Sequence, residues 1–212
     1  MLLLFTLTFS IPNPESRTPT PLILASRSPR RRQLLADAGF AYEIIVPASA
    51  DECGSCSRES PAELVLRLAL QKAKDVARQL IAQQRGGMIV ACDTIAEIDG
   101  QVLGKPENID QARRMLKMIR GREHRVLSGL CLWQIPDGAP HTQLDVTRLV
   151  MDPISDAQLE EYLDTYAWEG KSGAFGYQDG WDWLHIVQGS ESNVVGLPME
   201  LLQRILGSQR EV

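Results

Sequence analysis

The segment spanning residues 22–32 constrains the fold most. Leu22-Ile23-Leu24-Ala25 is a continuous apolar run of strand length. Within three residues it gives way to Ser28-Pro29, a good N-cap followed by a good first helical residue. A buried strand that turns tightly into a helix opens an α/β unit, and it leaves the helix's unbonded N–H groups beside the sheet. Arg30, Arg31 and Arg32 occupy that first turn. Each cation there opposes the helix dipole by about 0.3–1 kcal/mol, so three in succession predict an anion for them to face. Ser26 and Ser28 add hydroxyl donors. Arg30 and Arg31 add forked donors that match phosphate oxygens.

The rest of the chain continues the alternation of strands and helices. Leu34, Leu35 and Ala38 are expected to face inward, with Gly39 ending the helix. Residues 42–46 form a second strand, and residues 47–60 a loop containing Asp51 and Glu52. Ser60-Pro61-Ala62-Glu63 is a capping box that opens a long helix, buried through Leu64, Leu68 and Val76 and stopped by Gly86-Gly87. Residues 88–92 are an apolar strand with Asp93-Thr94 at its C-terminal end, and residues 95–103 a hairpin turning at Asp99-Gly100. A helix at 110–120, with Met115, Leu116 and Ile119 inward, ends at Gly121. Strands follow at 126–133 and 142–151. A capping box at Ser155 opens a helix to about Leu163, residues 183–187 are a strand, and Pro198 begins the last helix. The class is α/β, in one domain over residues 22–207. Residues 12–21 are rich in proline and polar groups, so residues 1–21 are expected to be a disordered extension and 208–212 a short tail.

Bulk properties remove several functions. The formal net charge is −5, which disfavours a protein that grips nucleic acid by its backbone. A small anion needs only a local cluster of cations. The apolar residues 1–9 are too few to span a bilayer and lack a positive n-region, so a soluble cytoplasmic protein is expected. Cys53 and Cys56 have C-x-x-C spacing, but no second close pair exists and the histidines are scattered. A four-ligand zinc module is therefore disfavoured.

Four further segments suit chemistry on a polyphosphate. Asp93, after an apolar strand, can accept a proton from water or hold a divalent metal, and Glu52 can supply a second carboxylate. Lys105, within Gly104-Lys105-Pro106, is an aimed point charge. Residues 168–178 carry Lys171 between glycines and end in Gln178, whose amide can both donate to and accept from a base edge. Gly170-Lys171-Ser172 invites comparison with a P-loop, but that pattern requires glycine where Thr165 stands. Residues 189–198 form a loop leading into a helix. Cations on three loops and a carboxylate on a fourth suit hydrolysis of a phosphoanhydride.

In order along the chain, these segments resemble the Maf-like family of nucleoside triphosphate pyrophosphatases. Leu24-Ala25-Ser26-Arg27-Ser28-Pro29-Arg30-Arg31 matches its first signature, and Cys92-Asp93-Thr94 with Gly104-Lys105-Pro106 its second. Arg122-Glu123-His124-Arg125-Val126 with Ser128-Gly129 matches the third, and residues 170–178 and 193–198 the last two. The resemblance implies a central mixed sheet flanked by helices around a deep nucleotide cleft, of the Maf/ITPase-like kind, often in a homodimer. It implies metal-assisted cleavage of a nucleoside triphosphate to monophosphate and diphosphate, with Mg²⁺ or Mn²⁺ as the divalent ion. The family's catalytic acidic residue, the proton acceptor, falls on Asp93, and the phosphate-binding positions fall on Ser26, Arg30, Arg31 and Lys105. Glu52 and Lys72 match further cleft positions, Glu52 beside Asp93 as a metal ligand. Arg30, Thr94 and Gln178 match the branch acting on dTTP and UTP rather than the one acting on 7-methyl-GTP. A rival is a non-catalytic nucleotide-binding regulator of cell division, which would keep the basic loops without needing Asp93.

Overall fold

The computed structural model describes residues 21–48, 59–178 and 180–208. Its elements run β1 (Leu22–Leu24), α1 (Pro29–Asp37), β2 (Tyr42–Ile44), α2 (Pro61–Ala82), β3 (Gly87–Ile98) and β4 (Gln101–Leu103). They continue with α3 (Ile109–Ile119), β5 (Glu123–Ile135), β6 (His141–Met151), α4 (Asp156–Asp164), β7 (Leu184–Gln188), α5 (Glu191–Val195) and α6 (Met199–Ser208). The strands form one sheet in the order β2-β1-β3-β5-β6-β7, with β4 folded back onto β3. β1 is parallel to β2 and β3, whereas β3, β5, β6 and β7 each run antiparallel to the next. This is the expected mixed α/β sheet. Among the described residues no helix is long and apolar enough to cross a membrane.

Local signals formed as anticipated. Ser28 caps α1 with Pro29 at its first position. Ser60 with Glu63, and Ser155 with Gln158, make reciprocal capping boxes. Asp99 and Gly100 both take positive φ, the requirement of a type I′ hairpin. Three readings change. β3 does not end at Cys92 but runs twelve residues through Ile98, because β5 supports it along its length and β4 pairs with Ala96–Ile98. Asp93 and Thr94 are therefore mid-strand. Ala38 is exposed, because α1 has already ended and the chain is turning at Gly39. Val46 has left the sheet, and its carbonyl accepts from Gln79 Nε2 of α2 at 3.0 Å.

The edge of β3 explains where a ligand can enter. On that side β1 pairs with Met88–Val90 and β4 with Ala96–Ile98. The residues between, Ala91 to Ile95, find no strand there. This gap faces the loop that leaves the carboxyl end of β1, the place where α/β sheets collect ligands.

α2 closes one face of the sheet. Its Ala69, Ala73, Val76 and Leu80 pack on Ile23, Ile89, Ala91 and Cys131. The approach is close at Gly129 of β5, where a Cβ would lie 2.2 Å from the Val65 carbonyl oxygen. Gly129 is the register partner of Asp93. Lys72 stands two helical turns beyond Val65 and so shares its face. On the opposite sheet face, Leu35 and α6 cover Leu24, Val90 and Leu130, and α3 and α4 cover the distal half.

Gly129→Ala is expected to destabilise the fold by about 2–3 kcal/mol, because the obstruction is backbone and cannot rotate away. Urea denaturation measures it. A loss under about 0.5 kcal/mol would mean that the helix shifts freely.

Candidate active site

The gap opens into a cleft of about 880 Å³. Its walls include Ser26, Ser28, Arg30, Arg31, Lys72, Asp93, Thr94, Lys105, Lys171 and Gln178. Ten of the expected site residues thus meet in one cavity, although they come from five separate segments. The eleventh, Glu52, lies outside the described residues, as do Asp51 and the Cys53–Cys56 pair.

The loop 26–31 is organised by its own side chains. Ser26 Oγ accepts from the Ser28 backbone N–H at 3.1 Å and from Arg31 Nη1 at 3.3 Å. Both its lone pairs are then engaged, which leaves its O–H to donate. Ser28 Oγ accepts from the Arg31 N–H as the helix cap. Arg30 is exposed at the rim. Arg31 is held on three sides: besides Ser26, its Nε donates to the Gly196 carbonyl at 2.7 Å and its Nη2 to Thr94 Oγ1 at 3.3 Å.

Asp93 and Thr94 are adjacent on β3 and so point to opposite sheet faces. Asp93 is 6% exposed and accepts at Oδ1 from Lys72 Nζ of α2. This pair depends on the close helix approach at Gly129. Thr94 faces the other way, where its hydroxyl meets Ser128 Oγ at 2.7 Å and the Gly196 carbonyl at 3.2 Å. Cys92 lies below them with its thiol toward the same carbonyl. Burial pushes that thiol up from its ordinary value, against the pull of Arg31, so it stays protonated.

The far end of the cleft is made by residues 170–178. Gly173 donates to the Gly104 carbonyl at 3.1 Å, and Ser172 Oγ to the Thr94 carbonyl at 3.4 Å. Gly173 takes φ +73°, and a Cβ there would come within 3.0 Å of Ala96. The glycines therefore serve a close backbone approach. Tyr162 ties the loop down through its O–H to the Ala174 carbonyl, and its ring packs on Phe175 at 4.9 Å. Lys171 is buried against the cleft, while Lys105 and Gln178 are exposed along its mouth. Ile119, Val126, Phe175 and Leu184 give this end an apolar floor.

Three residues of the site stand in segments matched from the sequence but were given no role there. Ser128 is fully buried and bonds Thr94. His124 is 5% exposed on the cleft floor. Gly196 contributes a carbonyl. The first two are polar residues four apart on one face of the buried strand β5, with Val126 between them. A backbone carbonyl leaves no trace in the sequence.

Fold and cleft together define an α/β protein able to hold a small polyanion beside one carboxylate. Comparison with known proteins agrees. The family described as Maf-like protein matches residues 21–209, and the chain belongs to that family. A dTTP/UTP pyrophosphatase of Rhodopirellula baltica is 50% identical over 196 residues, covering 92% of this chain and 82% of that protein. Another bearing that name, from Carboxydothermus hydrogenoformans, is 38% identical over 87% of this chain and 96% of its own. A third, from a Chelativorans species, is 40% identical over 85% and 87%.

Burial lowers the His124 pKa below its ordinary 6.5, partly offset by a backbone hydrogen bond and nearby carboxylates. Below pH 6.5 the unfolded chain therefore binds a proton that the native state resists. Stability is full above that pH and falls as the pH drops through the window between the two values. A His124→Gln variant should lose less stability than wild type between pH 7 and 5, measured by urea unfolding. Equal losses would place the titration elsewhere.

Proposed function

We propose that this protein hydrolyses nucleoside triphosphates to the monophosphate and diphosphate, preferring dTTP and UTP. The observation that carries the reading is Asp93: a buried carboxylate, held by Lys72, in the same cleft as the arginine-bearing turn of α1. In this reaction a water oxygen forms a new P–O bond, the anhydride between the α- and β-phosphates breaks, and diphosphate leaves. Asp93 takes the proton of the attacking water. Arg30, Arg31, Lys105 and Lys171, with the Ser26 and Ser28 hydroxyls, hold the triphosphate and the charge that develops on the departing diphosphate. The apolar end receives the base, and the Gln178 amide offers both the donor and the acceptor that a uracil-type edge requires.

The donor chemistry fits a divalent ion of the Mg²⁺ or Mn²⁺ kind. Such ions accept one or two carboxylates and complete their shell with substrate phosphates and water. No cluster of three ligating side chains exists among the described residues. Asp93, with Glu52 as the second carboxylate, would hold the ion. It would supply neutralisation of phosphate charge. The proposal extends to a cytoplasmic enzyme, with homodimerisation, that clears unwanted nucleotides or restrains division. The named activity of relatives up to 50% identical supports the substrate class.

Release of diphosphate from dTTP, UTP, CTP, GTP and 7-methyl-GTP, with Mg²⁺ or Mn²⁺, tests this. dTTP and UTP should be the best substrates, and Asp93→Asn should lower kcat by about a hundredfold or more without unfolding the protein. Even activity across the panel would refute the pyrimidine preference. No activity with nucleotide binding intact would favour a regulator.

A further inference from the structure

We propose that Thr94 acts on the nucleotide through Arg31, forming with the Ser128 hydroxyl and the Gly196 carbonyl a relay that positions the guanidinium for phosphate. The inference rests on the reading of the cleft as a triphosphate site. It follows from a count of hydrogen-bonding capacity. A threonine hydroxyl donates once and accepts twice. Thr94 Oγ1 has three nitrogen or oxygen partners, Arg31 Nη2 at 3.3 Å, the Gly196 carbonyl at 3.2 Å and Ser128 Oγ at 2.7 Å, with Cys92 Sγ further off at 3.8 Å and its own thiol directed to the Gly196 carbonyl at 3.3 Å. Arginine only donates and a carbonyl only accepts, so two of the roles are forced. Thr94 accepts from Arg31 and donates to Gly196. Its remaining lone pair takes the Ser128 proton. The hydroxyl is then saturated by protein and has nothing left for a base.

The same count shows what the relay achieves. A guanidinium has five N–H bonds. Nε is committed to the Gly196 carbonyl, one Nη2 hydrogen to Thr94, and one Nη1 hydrogen to Ser26. One N–H on each terminal nitrogen remains to meet phosphate oxygens. Ser128 is fully buried and cannot turn its proton to water. Gly196 has φ +123°, a backbone conformation that side-chain-bearing residues rarely adopt. Its carbonyl is aimed by a loop fixed from behind: the Gly196 N–H donates to Ser192, and Asn193 Nδ2 donates to the Val126 carbonyl and Thr147 Oγ1. The loop 189–198 therefore enters the site as a backbone acceptor that directs an arginine.

Inorganic tripolyphosphate, which has no base, separates the alternatives. Calorimetric binding without divalent metal should weaken about tenfold in Thr94→Val and stay within about twofold of wild type in Thr94→Ser, which keeps the hydroxyl. In an Arg31→Lys background, which lacks the fork, Thr94→Val should add less than about twofold, because coupled residues are not additive. Unchanged tripolyphosphate affinity in Thr94→Val would overturn the relay and make Thr94 a base contact. A full tenfold loss in the Arg31→Lys background would also overturn it. Should Thr94→Val fold poorly, Ser128→Ala carries the test, with a loss of about threefold expected and no loss contradicting the relay. Wild type that binds tripolyphosphate but does not hydrolyse dTTP would remove the proposed activity and leave the relay standing. Wild type that does not bind tripolyphosphate would overturn the relay.

Discussion

The contact on which the site depends is backbone against backbone, where α2 crosses β5 at Gly129. No side chain fits between the Val65 carbonyl and that strand position. Because Gly129 is paired with Asp93, the helix lies close against the sheet beside the carboxylate. Two turns further along, Lys72 reaches Asp93 from the same helical face. Helix packing of this kind is driven by apolar burial, and the alanines Ala69, Ala73 and Ala77 let it be close. The electrostatic pair is thus placed by hydrophobic packing. An ammonium beside a carboxylate away from bulk water would be costly if either partner lacked the other.

The second constraint is the interrupted edge of β3. A strand that pairs first with β1 and then with β4 leaves its middle open on one side. Alternation along the strand then presents successive residues to different work. Asp93 meets α2, and Thr94 meets α1 and the loop before α6. One strand gap therefore brings a carboxylate and Arg31 together, with the basic turn of α1 closing it from the carboxyl end of β1.

Much of this was legible in the residues, and the boundary between what was and what was not is physical. Caps and turns are written locally, so Ser28-Pro29, the two capping boxes and Asp99-Gly100 stand where the sequence places them. Loops that carry Arg31, Lys105 and Lys171 were identifiable because cations between turn residues have few structural uses. The long run of β3 was not legible, since Ile95 to Ile98 suit either a new hairpin arm or a continuing strand, and only the partner β5 decides. Registers such as Thr94 with Ser128 are also non-local. The Gly196 carbonyl, identical in every sequence position, is visible only when the fold brings Arg31 to it. Glu52 stays an expectation from the sequence resemblance, because its segment lies outside the described residues.

The central claim is that a cleft with one held carboxylate and a positioned arginine fork cuts a triphosphate at its α–β anhydride. ³¹P NMR of a dTTP reaction reads this directly. dTMP and diphosphate should appear together in equal amounts from the first turnover, without dTDP. Accumulation of dTDP and inorganic phosphate would contradict it, since the bond cut would then be the terminal one.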